Sequence, residues 1–208
     1  MQIAERARPN GARALLTGLV VMLLVPLLSA CGINAIPTYQ EQATAAWAQV
    51  ENQYQRRTDL IPNLVETVKG FAEQEREVLT AVVEARARAT QTQINADQLT
   101  DPAAVQQFQA AQDELSGALS RLLVTVEAYP ELRSNQNFLA LQSQLEGTEN
   151  RISVARRDYI EAVRVYNTEL RTIPGRWIAA IFYSDAEPMQ PSTAVAGSET
   201  PPTVNFGN

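Results

Sequence analysis

"QYQRRTDLIPNLVETVKGFAEQE", Gln53–Glu75, decides how the chain folds. Tyr54, Arg57, Ile61, Leu64, Val68, Phe71 and Glu75 follow one another in steps of three and four. That spacing returns to one side of an α-helix every second turn and marks helices packed at shallow angles. The seam runs back through Val50, Trp47 and Ala43 and forward through Val78, Val82, Ala85 and Ala89. Two of its positions, Arg57 and Glu75, carry charge. Pro62 lies inside it. A proline in a helix interior removes a hydrogen bond and crowds the preceding turn, at a cost of about 3 kcal/mol. Asp59 offers a way round: as an N-cap it puts Pro62 in the first turn, where no N–H is needed. The stretch therefore predicts two helices, 37–57 and 60–93, joined by a bend. The seam keeps its phase across the joint, so one kinked helix is the alternative.

The next break is "INADQLTDP", Ile94–Pro102, where Asp101 as N-cap and Pro102 at N1 open a third helix. Its seam is Val105, Phe108, Gln112, Leu115, Leu119, Leu122, Val126 and Tyr129, and it ends at Pro130. "PELRSNQN" is a polar turn with Ser134 or Asn135 as the next cap. The last long helix carries Phe138, Leu141, Leu145, Thr148, Ile152, Ala155, Tyr159, Val163, Tyr166 and Leu170, and "TIPG" stops it. "RWIAAIFY", Arg176–Tyr183, reads as an apolar segment folded over one end of the bundle, or as a second membrane contact with Trp177 and Tyr183 at the interface. From Asp185 Pro, Ser, Thr and Gly dominate, so 185–208 reads as a disordered tail. The fold class is all-α: an elongated antiparallel up-and-down bundle of three to four long helices, spanning 37–184.

The N-terminus is different in kind. Arg6, Arg8 and Arg13 precede the uncharged run Ala14–Ala30, and small residues Ser29 and Ala30 precede Cys31, the one cysteine in the chain. Charge, apolar core and small-residue cleavage site in that order make residues 1–30 a signal peptide. The run is about 17 residues, the lower edge of a bilayer span, so a retained transmembrane anchor is the alternative. "LSAC", Leu28–Cys31, resembles the lipobox of bacterial lipoproteins. That resemblance implies lipid on the Cys31 thiol, palmitate or a similar acyl chain on the new N-terminus, and a tether over 31–36. Gly32 carries no inner-membrane retention signal of the kind an Asp there would give. Without residues 1–30, 14 Lys and Arg face 22 Asp and Glu, a net −8. Anionic head groups repel such a surface.

Little in the sequence carries chemistry. There is no histidine, which removes the Glu-x-x-His di-metal pattern of helical bundles and the Ser-His and Cys-His triads. No Gly-rich phosphate loop occurs, and no basic stripe suits a nucleic acid. We expect no catalytic residues, no metal ligands and no cofactor. The candidates that remain are Cys31 for lipid attachment and a polar core or partner-binding cluster of Arg57, Glu75, Thr148 and Glu149. Polar seam residues also fix how helices pair, with no binding role. Glu84 and Arg88 are spaced as a surface i,i+4 pair.

Three quoted blocks resemble one family. "AWAQVENQYQRRTDLIPNLVETVKGFAEQE" (46–75), "LSRLLVTVEAYPELRSNQNFLALQSQLEGTENRISVARRDYIEAVRVYN" (119–167) and "TIPGRWIAAIFY" (172–183) occur in the order seen in the LemA family. The resemblance implies an all-α bundle held at a bacterial membrane, and it supplies no reaction. Many members keep an N-terminal transmembrane segment, and the lipobox departs from that. The expected role is a scaffold or adaptor whose partners are the bilayer, through Cys31, and another envelope protein. The second reading is a membrane-organising or self-assembling protein, a homo-oligomer with a retained single-pass transmembrane anchor. The expected location is the cell membrane or outer membrane, with the bundle on the extracytoplasmic side.

Overall fold

A computed structural model describes residues 32–192 together with Gly18, Leu19 and Met22. The signal-peptide reading, Cys31 and the tail from 193 onward lie outside the described residues. From Ala35 on, the described residues form six α-helices in turn: α1 (Ala35–Lys69), α2 (Arg76–Gln91), α3 (Pro102–Val126), α4 (Pro130–Arg133), α5 (Gln136–Arg171) and α6 (Gly175–Phe182). A short 3-10 turn, Ala96–Thr100, precedes α3. The described chain is an all-α bundle with no strand among the described residues.

The seams do the packing. Ala43, Trp47, Val50, Tyr54, Arg57, Ile61, Leu64 and Val68 are the buried side of α1. Val105, Phe108, Gln112, Leu115, Leu119, Leu122 and Val126 are buried along α3. α1 and α5 pack along their lengths, α2 folds back on α1, and α3 packs on α2. The pairing of α1 with α5 is antiparallel: Trp47 meets Tyr159, and Arg57 meets Glu149. α3 and α5 stay further apart, so one edge of the bundle is open. α5, with 36 residues, is about 54 Å long.

Two caps work as their chemistry demands. Asp101 Oδ1 accepts from the Ala103 N–H at 2.8 Å, and Asn135 Oδ1 accepts from Asn137 and Phe138 at 2.9 and 3.2 Å. Each satisfies orphan donors of a first turn.

The first break does not fall at Pro62. α1 runs unbroken through Pro62 to Lys69, and the expected helix 60–93 divides instead at residues 70–75. The missing Pro62 N–H leaves the Thr58 carbonyl without its helical donor. Arg86 Nε, reaching across from α2, donates to that carbonyl at 2.9 Å. The cost of the proline is thereby offset by a partner from another helix, and Asp59 is not a cap.

Two boundaries also move. Ile36 is fully buried, so the bundle begins inside the expected tether 31–36. Residues 185–192, expected to be a free tail, lie packed along the bundle as a strap. Asn167 clamps Met189 from both sides: Nδ2 donates to the Met189 carbonyl at 2.8 Å, and Oδ1 accepts the Met189 N–H at 3.0 Å. The Tyr159 hydroxyl donates to the Gln190 carbonyl at 2.9 Å, and the Gln190 N–H donates to the Leu99 carbonyl at 2.8 Å. A proline-rich segment with no apolar period can pack this way because side chains and a neighbouring turn satisfy its backbone.

Candidate functional site

The core is two apolar compartments. One gathers Ile61, Leu64, Val68, Leu115, Leu122 and Leu145. The other gathers Ile36, Trp47, Phe108, Tyr159, Tyr166 and Met189. In the second, the Trp47 ring meets Phe108 and Tyr159 edge-on at 5.2 and 5.1 Å, the geometry aromatic quadrupoles favour.

A polar layer separates the compartments, and Arg57 is its centre. The residue is 1% exposed. Its Nη1 donates to Ser116 Oγ and Glu149 Oε1, each at 2.8 Å. Its Nη2 donates to Gln112 Oε1 at 2.7 Å and to the Gln112 carbonyl at 3.2 Å. The guanidinium carbon stands 5.0 Å from the centre of the Tyr54 ring, within cation–π reach. Gln112 continues the layer to α2 through a 3.4 Å bond from Nε2 to the Ala89 carbonyl. One arginine of α1 thus ties together α3 and α5. Four of its five N–H directions are used internally; the fifth, Nε–H, is buried without a partner. That one unpaired donor does not reach solvent, so Arg57 holds no solvent-borne anion and is a crosslink.

Of the residues singled out in the sequence, the fold brings Arg57 and Glu149 into contact and buries Thr148 in the same layer. The Thr148 hydroxyl donates to its own helix, to the Gln144 carbonyl at 2.7 Å. Glu75 is elsewhere. It lies at the turn between α1 and α2, where Oε1 accepts the Tyr129 hydroxyl at 2.7 Å. That bond holds the Tyr129 phenol above its ordinary pKa. The cluster is therefore two sites. Gln112 and Ser116 complete the central one. Gln112 carries a legible signal, a polar residue on the α3 seam; Ser116 is off the seam and carries none. Arg88 pairs with Glu114 of α3, Nε and Nη2 at 2.8 and 2.6 Å, and not with Glu84.

Burial sets the titration behaviour of the phenols near the layer. Tyr159 is held well above the ordinary phenol range by desolvation. Tyr54 is raised by desolvation too, against the opposing pull of Arg156 and Arg57. Burial also raises the Glu51 carboxyl. Among the described residues, no three or more His, Cys, Asp or Glu side chains lie close enough to hold a metal ion.

The open α3–α5 edge forms a groove of about 530 Å³, with Leu119, Leu123 and Leu145 along it and Ser116, Glu146 and Glu149 at its margins. Glu149, its side chain 46% exposed, belongs to both the groove and the Arg57 layer. Among the described residues no helix is long and apolar enough to cross a membrane.

Similarity to known proteins follows the bundle. Magnetosome proteins MamQ 1 and MamQ 2 of Paramagnetospirillum magneticum are each 25% identical over 164 residues, 71% of this chain and 60% of the relative. Magnetosome protein MamQ of Magnetospirillum gryphiswaldense is 24% identical over 196 residues, 86% of this chain and 72% of the relative. The chain thus spans 60% of the length of the first two. The family model of LemA matches residues 46–206, which takes in the polar layer, the groove and α6. The chain belongs to the LemA family.

Proposed function

We propose that this protein is a non-catalytic scaffold or adaptor of the bacterial envelope, tethered by lipid on Cys31, with its bundle on the extracytoplasmic side. The α3–α5 groove carries the adaptor reading. It has an apolar floor, a margin with Glu146 and Glu149, and a length of about two helical turns. An amphipathic helix of another envelope protein, with a basic flank to meet those carboxylates, suits it by shape and charge. The buried Arg57 layer supports this role by holding α3 and α5 at a fixed separation. Relatives named as magnetosome proteins support a membrane setting.

A photo-crosslinker at exposed Ser120, in intact cells, tests the adaptor. The expected product joins this chain to a different envelope protein and weakens with Glu146→Arg, a charge reversal at an exposed position of the groove margin. A product containing only two copies of this chain favours the second reading, self-assembly. That reading draws on Val124, 73% exposed one turn beyond Ser120 on the same side of α3. Fatty-acid labelling and intact mass test the tether. Wild type should label and begin at Cys31, and Cys31→Ser should do neither. An unlabelled, full-length wild type would replace the lipid with a retained anchor over 14–30.

A further inference from the structure

Of the eight residues of α6, only Arg176 is polar. A helix apolar on all sides is stable when it is covered on all sides, yet α6 is covered on one. Ile178 and Ala179 pack against the compartment that holds Ile36 and Tyr166. On the opposite side Trp177 is 61% exposed and Ile181, one turn on, 72%. Ile173 is 64% exposed just before the helix and Phe182 59% at its end. Other exposed apolar residues of the bundle, such as Val83, Leu139 and Val154, occur singly, as on any soluble surface. The run from Ile173 to Phe182 is a patch, and a patch marks a contact.

Chain continuity identifies what the patch meets. A Cβ added to Gly32 would lie 3.2 Å from Ile178 Cδ1. The uncharged run Ala14–Ala30 and Cys31 immediately precede Gly32 in sequence. Whether Cys31 carries lipid or the run is retained, the bilayer is therefore brought to α6 itself. Arg171 before the patch and Arg176 within it, both exposed, are cations whose long stems suit apolar surface and whose heads suit phosphate. The net −8 of the remaining chain disfavours any pose that lays the long helices on anionic lipid.

We infer that α6 is an interfacial helix: Trp177, Ile181, Phe182 and Ile173 insert into the bilayer that holds the tether, so the bundle stands on its end. The inference rests on the reading that residues 14–31 hold the chain to a bilayer. It adds a protein-side attachment to the one that residues 14–31 supply.

The two tryptophans make this measurable, since Trp47 is buried and Trp177 exposed. Full-length protein is reconstituted into phosphatidylcholine vesicles with or without bromine on the acyl chains. Flotation reports the tether, and bromine quenching reports α6. The expected result is quenched emission in wild type and Trp47→Phe, and none in Trp177→Phe. Should Trp47→Phe misfold, the difference between wild type and Trp177→Phe gives the same answer. Protein that floats with unquenched Trp177 overturns the inference and leaves the tether standing. Emission from Trp177 that is blue-shifted, concentration-dependent and unquenched also overturns it, with a second copy covering the patch. Protein that does not float overturns tether and inference together.

Discussion

Removing the Arg86 side chain tests how the fold accommodates Pro62. Arg86 Nε donates to the Thr58 carbonyl, the group that Pro62 deprives of its helical partner. Thr58 is 5% exposed, so water does not readily replace Arg86 there. An unsatisfied buried carbonyl costs about 1–3 kcal/mol. Because Arg86 is itself only half-buried, the lower half of that range applies, and Arg86→Met should cost about 1.5 kcal/mol. In a domain of this size that lowers Tm by about 3–6 °C. Pro62→Ala restores a backbone N–H one turn from Thr58. In that background Arg86→Met should fall within the ordinary surface range of about 0.5 kcal/mol. The coupling between the two substitutions is then about 1 kcal/mol, within the range for residues sharing one interaction. The assay is a double-mutant cycle by urea unfolding of the full chain in detergent, followed by circular dichroism. Equal costs of Arg86→Met in both backgrounds, or no cost in either, would refute the account.

Further outcomes follow from other parts of the molecule. Arg57→Ala should destabilise by about 3 kcal/mol or more, because it opens a cavity and strands Gln112 Oε1; Arg57→Met should cost less, and Glu149→Gln under about 1 kcal/mol, since Glu149 is half in water. Urea midpoints of the three variants check that order, and a Glu149 effect equal to that of Arg57 would contradict it. Gly175→Ala places a Cβ against the Glu169 carbonyl and 2.6 Å from Glu169 Oε1, so α6 must shift; protease sensitivity at Arg176 should rise while the rest of the helix content stays. Asn167→Ala frees the strap, and hydrogen exchange of the Met189 amide should accelerate about tenfold, the equivalent of one hydrogen bond of about 1.4 kcal/mol. Burial raises the pKa of Tyr54, Tyr159 and Tyr166, so folded protein keeps them protonated where unfolded chain ionises, near pH 10. Their contribution to stability is intact below about pH 10 and lost as pH climbs beyond it. Absorbance of tyrosinate should therefore rise together with loss of helix; full ionisation at unchanged helix content would break the link.

Much of the bundle can be read from the chain because its rules are local. The seams of α1, α3 and α5 repeat every three and four residues, and Asp101 and Asn135 announce caps through their own side chains. The errors have non-local causes. Pro62 looks like a break when only its own helix is considered, and the residue that rescues it lies 24 positions on. Glu75 sits on the extended seam, but the helix that would have carried it stops at Lys69. Arg88 has Glu84 at the right spacing and finds better bidentate geometry on α3. Residues 185–192 lack periodicity, so their packing depends wholly on Asn167, Tyr159 and Leu99, all contributed by other segments. Within the central layer, a charge at the Arg57 seam position signals that something polar must meet it. Thr148, although a seam residue of α5, turns its hydroxyl inward to its own backbone, and the sequence does not distinguish it from Glu149, which makes the bond.

The strap has a consequence for anyone attaching cargo to this protein. In sequence, the C-terminal residues follow directly after α6. In space, the Ser192 hydroxyl accepts Arg156 Nε at 3.0 Å and Gln109 Nε2 at 3.2 Å. Arg156 is 15 residues before the end of α5, about 22 Å up the axis. A fluorophore placed at exposed Pro191 therefore sits on the flank of the bundle, and its signal reports on mid-height surroundings.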